Sequence, residues 1–242
     1  MRIIRIFHPD LLVVDEHVVL SDDACNHLVN VLRVKEGQTI ILFNGDGSDY
    51  CSTLSEVGKR KVVALVESKL SMELESPLAI HLGQGVSRGD RMDLVLQKAV
   101  ELGVAQITPL LTERCGVKLS PERWLKKHEQ WQKIIVSACE QCGRNIIPKL
   151  NPVLELTSWL HQSTDQLRLT LHPRAEQAFR HIRVPASGVR LLIGPEGGFS
   201  DQEVYTTTEY GFQAVQLGPR ILRTETAALA AITALQTIHG DL

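Results

Sequence analysis

The chain has 242 residues, 43% of them hydrophobic, which is enough for one large or two modest domains with packed cores. Its net charge of −2 argues against a protein that binds nucleic acid through bulk charge alone. No signal-peptide pattern or membrane-length apolar run is present, and five cysteines without a framework suit reduced thiols. We therefore expect a cytoplasmic protein that contacts no membrane.

Residues 1–72 have the pattern of a small β domain. A strong turn signal at Asn44–Gly47 separates two strand-like runs, and Ser21 followed by two aspartates predicts a helix through about Arg33. The polar segment 69–77, which ends near a proline, predicts a linker. The predicted strands of this part are 2–7, 39–43, 49–54 and 61–66. Several short strands and one helix indicate a small barrel.

From Leu78 onward the pattern changes to alternating strands and helices. Such alternation predicts a mainly parallel sheet covered on both faces by helices. The predicted strands are 78–83, 106–111, 167–171, 189–193 and 214–217. The predicted helices are 90–102, 121–142, one that begins at Ser200, and 224–238.

Two strand–loop–helix units near the end of the chain carry the strongest functional signal. In each, an apolar run is closed by Gly-Pro, at Gly194 in the first and at Gly218 in the second, and a helix start follows. Ser200 and Glu203 fit a capping box. We expect the two loops to lie side by side at the carboxyl ends of neighbouring strands, where open α/β sheets bind ligands. The alternative is a pair of ordinary tight turns.

Known nucleotide fingerprints do not account for these loops. Gly194-x-x-Gly197-Gly198 is neither the dinucleotide pattern nor the phosphate loop that ends in Gly-Lys-Ser/Thr. The sequence therefore predicts a nucleotide-like pocket of neither common class.

The middle of the chain carries an excess of positive charge. Residues 76–150 carry 11 basic and 7 acidic side chains. This excess of positive charge would suit a protein that binds a structured nucleic acid through contacts to defined phosphates. The alternative is a solvated helix face. Cys139 and Cys142 have the spacing of a zinc or redox pair, but they fall in a predicted helix without a second pair nearby. We therefore favour a packed helix end and expect no metal.

The two glycine-bearing segments, 192–198 and 217–227, are similar to the second and third signature motifs of the SPOUT methyltransferases. More narrowly, the chain resembles the small-subunit ribosomal RNA methyltransferase E family, which methylates N3 of a uridine in 16S ribosomal RNA. Further blocks match the family pattern in order: 2–9, 81–88, 101–118 and 131–144.

The resemblance implies a PUA-like β-barrel RNA-binding domain at 1–72 and an α/β domain at 73–242. That second domain would carry a deep C-terminal trefoil knot, which is a rare exception to the rule that chains do not thread loops. The resemblance also implies S-adenosylmethionine as cofactor, a homodimer, and 16S ribosomal RNA as substrate, expected in the assembled 30S subunit, with free RNA as the alternative.

Uridine N3 carries a proton at neutral pH, so methylation there needs a base or cations that stabilise the uridine anion. Arg114 resembles the arginine of the superfamily's first motif and is expected in that role, the alternative being an ion pair with Glu113 or Glu101. Glu225, in the first turn of a helix, would be held in its charged form and suits a cationic cofactor or an arginine. Arg223 is the third expected catalytic residue. No residue is assigned as the general base, although Glu140 and Glu196 also lie inside matched motifs.

The remaining expected site residues follow from the resemblance. Those expected to hold the cofactor, largely through backbone groups, are Leu171, Gly194, Pro195, Glu196, Gly197, Gly198, Leu217, Gly218, Ile221, Leu222 and Thr226. Those expected to contact RNA are Arg2, Arg5, Arg33, Arg88, Lys118, Arg144 and Arg220. His172 is as consistent with a turn residue as with a ligand.

Two other functions compete with methyl transfer. One is an RNA-binding protein that kept the fold but lost the chemistry, and the intact Gly194, Glu196 and Glu225 argue against it. The other is an unrelated nucleotide-dependent enzyme, which the failed fingerprints disfavour.

Overall fold

The computed structural model describes residues 3–173 and 175–242, which divide into two compact units. The first unit contains the chain up to Glu75 together with Val136–Ile147. The second contains Ser76–Ile135 and Pro148–Leu242. Arg2, which was expected to contact RNA, lies outside the described residues. None of the described helices combines the length and apolar character that a membrane span requires.

The first unit is built on a five-stranded sheet in the order β1-β3-β4-β5-β2. Strands β1 and β3 are parallel, and the other neighbours are antiparallel. Its strands are β1 (Ile4–Phe7), β2 (His17–Val19), β3 (Thr39–Phe43), β4 (Ser48–Val57) and β5 (Val62–Ser71). Among the described residues, the edge strands β1 and β2 do not pair with each other. The sheet of the predicted barrel is therefore not closed by hydrogen bonds between these two strands.

Helix α1 (Asp22–Asn26) packs on this sheet through Cys25, and Ser21 caps it by accepting the Ala24 N–H. The helix continues as a π-helical turn, His27–Val31, and thus ends before Arg33, which has a positive φ of 52°. The predicted helix is confirmed, but it is about two residues shorter than expected.

The predicted linker is partly wrong, because Lys69–Ser71 belong to strand β5. They pair with β4, where Tyr50 lies opposite Lys69 and the Lys69 ammonium lies 5.2 Å from the centre of the Tyr50 ring. Cross-strand packing of this kind extends a strand into residues whose polar composition favours a loop.

The second unit is built on a parallel sheet in the order β12-β10-β11-β6-β7-β8, with β9 also pairing with β7. Its strands are β6 (Ile80–Gly85), β7 (Gln106–Leu111), β8 (Lys149–Leu150), β9 (Leu154–Glu155), β10 (Leu167–Leu171), β11 (Val189–Ile193) and β12 (Gln213–Val215). Its helices are α2 (Asp90–Glu101), α3 (Pro121–Cys142, which continues into the first unit), α4 (Leu156–Leu160), α5 (Asp201–Glu209) and α6 (Thr224–His239), with a 3₁₀ turn at Phe179–His181. The predicted parallel sheet is confirmed.

One prediction about this sheet is wrong: the two glycine loops do not follow neighbouring strands. Strands β11 and β12 both pair with β10, which lies between them. The carboxyl end of β10, at Leu171, therefore separates the two loops. Strand β12 also ends earlier than expected, at Val215.

A buried polar group sits between β6 and β7. His81 Nε2 lies 2.8 Å from Thr108 Oγ1, which accepts a hydrogen bond of 2.7 Å from the Asn151 amide. Burial, with the nearby charges of Arg190 and Lys149, lowers the pKa of His81 to about 3. This histidine is therefore a neutral part of the core.

Candidate active site

A cavity of about 570 Å³ opens at the carboxyl ends of β10 and β11. Its three walls are the end of β10 at Leu171–Pro173, the loop 193–199 that follows β11, and the segment 221–225 that leads into α6. A smaller cavity of about 90 Å³ adjoins it and is lined by Val215–Gly218. Ligands of open α/β sheets bind at this edge, and the larger volume suits a cofactor-sized molecule. We call this pair of cavities the cleft.

The loop after β11 forms the first wall of the cleft, and strand β6 packs against it. A Cβ at Gly85 would lie 2.5 Å from the backbone nitrogen of Pro195, so only glycine allows this approach. The loop ends at Ser200, which forms the predicted capping box with Glu203 through hydrogen bonds of 3.2 and 2.9 Å. That prediction is confirmed.

The start of α6 forms the opposite wall and is tied to the first. The Thr224 hydroxyl donates a hydrogen bond of 2.6 Å to the Gly194 carbonyl and accepts one of 3.0 Å from the Gln84 amide. Sequence reasoning missed both side chains. A glutamine near the end of a strand, at the expected ligand edge, was the signal for Gln84.

Two carboxylates and one arginine meet in the larger cavity. The Arg91 guanidinium lies 2.9 Å from Glu196 Oε1 and 4.0 Å from Glu225 Oε2. Burial raises the pKa of Glu196, but hydrogen bonds from the Arg88 N–H and Arg91, with the charge of Arg91, outweigh it and lower the pKa overall. Arg91 was missed, because its partner Glu196 lies 105 positions further along the chain.

Arg114 lies beside the first wall, with its guanidinium 3.4 Å from the Gly197 carbonyl oxygen. It is exposed, and within the described chain it makes no ion pair with Glu113 or Glu101. Glu101 is paired instead with Lys98 at 2.8 Å. A Cβ at Gly197 would come within 2.9 Å of Arg114 Cβ, so the glycine there makes room for Arg114.

The expected cofactor residues divide into three groups. The larger cavity is lined by Leu171, Gly194, Pro195, Glu196, Gly198, Ile221 and Leu222, together with Arg223 and Glu225. Leu217, Gly218 and the expected RNA contact Arg220 line the smaller one. Gly197 and Thr226 line neither cavity: Gly197 packs on Arg114, and Thr226 is exposed on α6, so their contact with the cofactor stays a prediction.

Two of the expected RNA contacts are engaged inside the first unit. Arg5 makes a bidentate ion pair with Asp49, with hydrogen bonds of 2.5 and 2.9 Å. Arg144 is 5% exposed and pairs with Glu75. Both guanidinium groups are thus engaged by carboxylates, and contact of either arginine with RNA stays a prediction.

The other expected RNA contacts are exposed: Arg33, Arg88, Lys118 and Arg220. Glu140 accepts the Phe7 N–H at 3.0 Å in the first unit and is not part of the cleft. Burial raises the pKa of Glu140 above its usual range, although the bond from Phe7 opposes this.

The parallel sheet, the cleft at its edge and the separate β unit are the features by which the protein can be classified. Comparison with known families assigns the class. Residues 74–236 match the family model of an RNA methyltransferase domain, and residues 20–67 match that of an RNA methyltransferase PUA domain. The protein is thus an RNA methyltransferase with a PUA domain.

Individual relatives narrow the class. The ribosomal RNA small subunit methyltransferase E of Buchnera aphidicola subsp. Schizaphis graminum is 38% identical, covering 100% of this chain and 98% of its own. A protein from Legionella pneumophila described as a methyltransferase, solved with the cofactor SAM, is 45% identical with a TM-score of 0.97. The ribosomal RNA small subunit methyltransferase E of Neisseria gonorrhoeae, solved with S-adenosyl methionine, is 42% identical with a TM-score of 0.93. Both structures are matched over 100% of each chain. The chain belongs to the ribosomal RNA small subunit methyltransferase E family.

Proposed function

We propose that this protein transfers a methyl group from S-adenosylmethionine to N3 of a uridine in 16S ribosomal RNA, in the assembled 30S subunit. The observation that carries the proposal is the cleft between the 193–199 loop and the start of α6. The structures of the Legionella and Neisseria relatives were solved with this cofactor. Membership of the family supports ribosomal RNA as the substrate.

The cleft fits the cofactor in size and charge. Its larger cavity, about 570 Å³, lies within the range of sites for small molecules. Glu225 Oε2 is buried and, among the described residues, has no hydrogen-bond donor. A buried carboxylate oxygen without a partner is costly, and a cationic ligand would relieve that cost. Gly218, with φ of +77° and open space where a Cβ would stand, keeps the smaller cavity clear.

The residues proposed to hold the cofactor are those that line the two cavities. They comprise Leu171, Gly194, Pro195, Glu196, Gly198, Leu217, Gly218, Ile221 and Leu222. When bound, S-adenosylmethionine supplies an electrophilic methyl group.

The chain's own contribution is positioning and charge. The walls orient the reactants and exclude water, which is the larger part of the catalysis expected for an in-line displacement. The target base must leave its RNA context to reach the cleft. Arg223 on the cavity wall and Arg114 beside the loop supply positive charge that stabilises the uridine anion once N3 has lost its proton. The negative charge of the Glu225 carboxylate attracts a cationic cofactor or an arginine in the cavity. The general base stays unassigned.

The proposal also covers the organisation of the chain. It includes a PUA-like barrel at 1–72, a methyltransferase domain at 73–242 with a deep trefoil knot, a homodimer, and action in the cytoplasm. The knot is proposed from membership of the family. The place of β10 between β11 and β12, and the packing of β6 and the start of α6 against the 193–199 loop, are compatible with it.

The test uses 30S subunits that lack the modification, incubated with the protein and cofactor labelled in the methyl group. We expect label in one uridine, identified as N3-methyluridine by mass spectrometry of digested RNA. Subunits that already carry the modification are the control and should accept no label. Absence of transfer to any RNA would overturn the proposal. Transfer to another atom, or to free 16S RNA alone, would overturn the N3 or the 30S part of it.

A further inference from the structure

A buried chain of hydrogen bonds connects three elements beneath the cleft. Gln84, at the end of β6, is fully buried, and Thr224, the first residue of α6, is 7% exposed. The Gln84 amide nitrogen donates to the Gly85 carbonyl and to Thr224 Oγ1, both at 3.0 Å. Thr224 then donates to the Gly194 carbonyl at 2.6 Å.

The direction of this chain is fixed by its chemistry. Both N–H groups of the Gln84 amide are used, one on each acceptor, and an amide nitrogen cannot accept. The Thr224 hydroxyl therefore accepts from Gln84 and must point its only hydrogen at Gly194. Hydrogen bonds in series polarise one another, which strengthens the bond to Gly194.

The last hydrogen bond of this chain joins opposite walls of the cleft. Gly194 belongs to the loop that follows β11, and Thr224 opens the helix of the facing wall. Arg223 is the N-cap residue of α6, but its side chain makes no capping hydrogen bond. The first turn of α6 therefore lacks the side-chain cap that usually stabilises the start of a helix. The hydrogen bond from the Thr224 hydroxyl to the Gly194 carbonyl instead holds this first turn to the facing loop.

We propose that Thr224, oriented by Gln84, is a positioning residue that sets the separation of the two walls of the cofactor cleft. This inference rests on the proposed function and deepens it. If the hydroxyl is removed, the Gly194 carbonyl and one Gln84 N–H lose their partners, and the walls can move apart. Cofactor affinity then falls, whereas RNA contacts made outside the cleft are retained.

The experiment compares Thr224→Val, which keeps the shape of the side chain, with Thr224→Ser, which restores the hydroxyl. Binding of S-adenosylmethionine is measured by calorimetry well below the melting temperature of each variant. We expect Thr224→Val to bind about tenfold more weakly and Thr224→Ser within about twofold of the original chain. The KM for the cofactor should rise in Thr224→Val, while the KM for RNA should not change.

The matched control is Thr237→Val, which removes an exposed hydroxyl of the same helix that bonds only to the Thr233 carbonyl at 2.8 Å. It should bind the cofactor as the original chain does. Gln84→Met is the second variant and decides the matter if Thr224→Val does not fold. It leaves Thr224 in place without its orienting donor, so we expect about threefold weaker binding.

The outcomes separate the inference from the proposed function. If the original chain does not bind S-adenosylmethionine, the proposed function fails. If the original chain binds and Thr224→Val binds equally well but melts at a lower temperature, Thr224 is merely structural and the inference is overturned. Equal losses of cofactor and RNA affinity, or no recovery in Thr224→Ser, would overturn it as well.

Discussion

Glu196 and Glu225 line the same cleft but differ in the hydrogen-bond donors that their carboxylates have within the protein. Glu196 accepts the Arg88 N–H and an Arg91 N–H, both at 2.9 Å, so its carboxylate is engaged before any ligand arrives. Glu225 has its nearest cation, Arg91, at 4.0 Å, and its buried oxygen has no donor in the described part of the chain. Glu225 should therefore respond to the charge of a bound ligand more strongly than Glu196 does.

Replacing Glu225 by glutamine tests this difference. S-adenosylmethionine carries a sulfonium charge that the demethylated product lacks, so the variant should bind the cofactor about tenfold more weakly and the product much less so. Glu196→Gln should affect both ligands alike. Calorimetry with each ligand measures the effect, and Glu209→Gln, at an exposed position of α5, is the control. Equal losses for cofactor and product in Glu225→Gln would contradict the argument.

Gly218 offers a test of the backbone at the smaller cavity. It lines the smaller cavity with a φ of +77°, and a Cβ there would have no atom within 4 Å, so a valine would add bulk at the cavity under backbone strain. Gly218→Val should abolish cofactor binding while the protein stays soluble. Gly37→Val is the matched control, because Gly37 has a φ of +79° and equally open surroundings in the first unit. Cofactor affinity unchanged in Gly218→Val, or lost equally in Gly37→Val, would count against this role.

Single residues also show where sequence reasoning stops. The types at Arg5 and Arg144 suit RNA, but their partners, Asp49 and Glu75, are 44 and 69 positions away and carry no local signal. Arg91 was missed for the same reason, since its role depends on Glu196, which is 105 positions further along. Residue chemistry can be inferred from the sequence, whereas the pairing of charges is decided by the fold.

At the scale of elements, long or strongly apolar segments were predicted well. Strands β7, β10 and β11 have the predicted bounds, and so does the 22-residue helix α3. The apolar periodicity within such segments is strong enough to predict their type and bounds from the local sequence. Strands β2, β8 and β9 and helix α4, each of five residues or fewer, were missed because pairing and packing with distant residues determine them. The place of β10 between β11 and β12 had no local signal either.

The pairing of β6 with β7 gives the protein a specific pH dependence. His81 is neutral in the folded state, with its pKa lowered from 6.5 to about 3, whereas the unfolded chain takes up a proton below 6.5. Stability is therefore lost as pH falls from 6.5 towards 3. From these values the loss between about pH 7.5 and about pH 5 is about 2 kcal/mol.

Urea unfolding of the original chain and of His81→Gln at both pH values measures this contribution. The variant will be less stable at each pH, because glutamine fits the site less well, but its pH-dependent loss should be smaller by about 2 kcal/mol. The other histidines contribute equally to both proteins and cancel. An identical pH dependence in the two proteins would show that His81 is not the group responsible.

At the scale of the whole molecule, a net charge of −2 conceals a local excess of positive charge. The basic side chains of residues 76–150 include Arg88 and Lys118, which are exposed, and Arg144, which is buried in an ion pair. Only exposed cations can replace the counterions of a phosphate backbone. Binding of ribosomal RNA should therefore depend on salt through a few defined positions, not through the total charge.

The salt dependence of RNA affinity tests which positions these are. Each phosphate contact that is lost should reduce the slope of log K against log salt concentration by about 0.7 to 0.9. We expect Lys118→Gln and Arg220→Gln each to produce a reduction of that size. Lys126→Gln, an exposed cation on α3, is the control and should leave the slope unchanged. If all three substitutions shift the slope equally, the protein meets RNA through diffuse charge. If none does, the contact surface lies elsewhere on the chain, and the assignment of Lys118 and Arg220 is wrong.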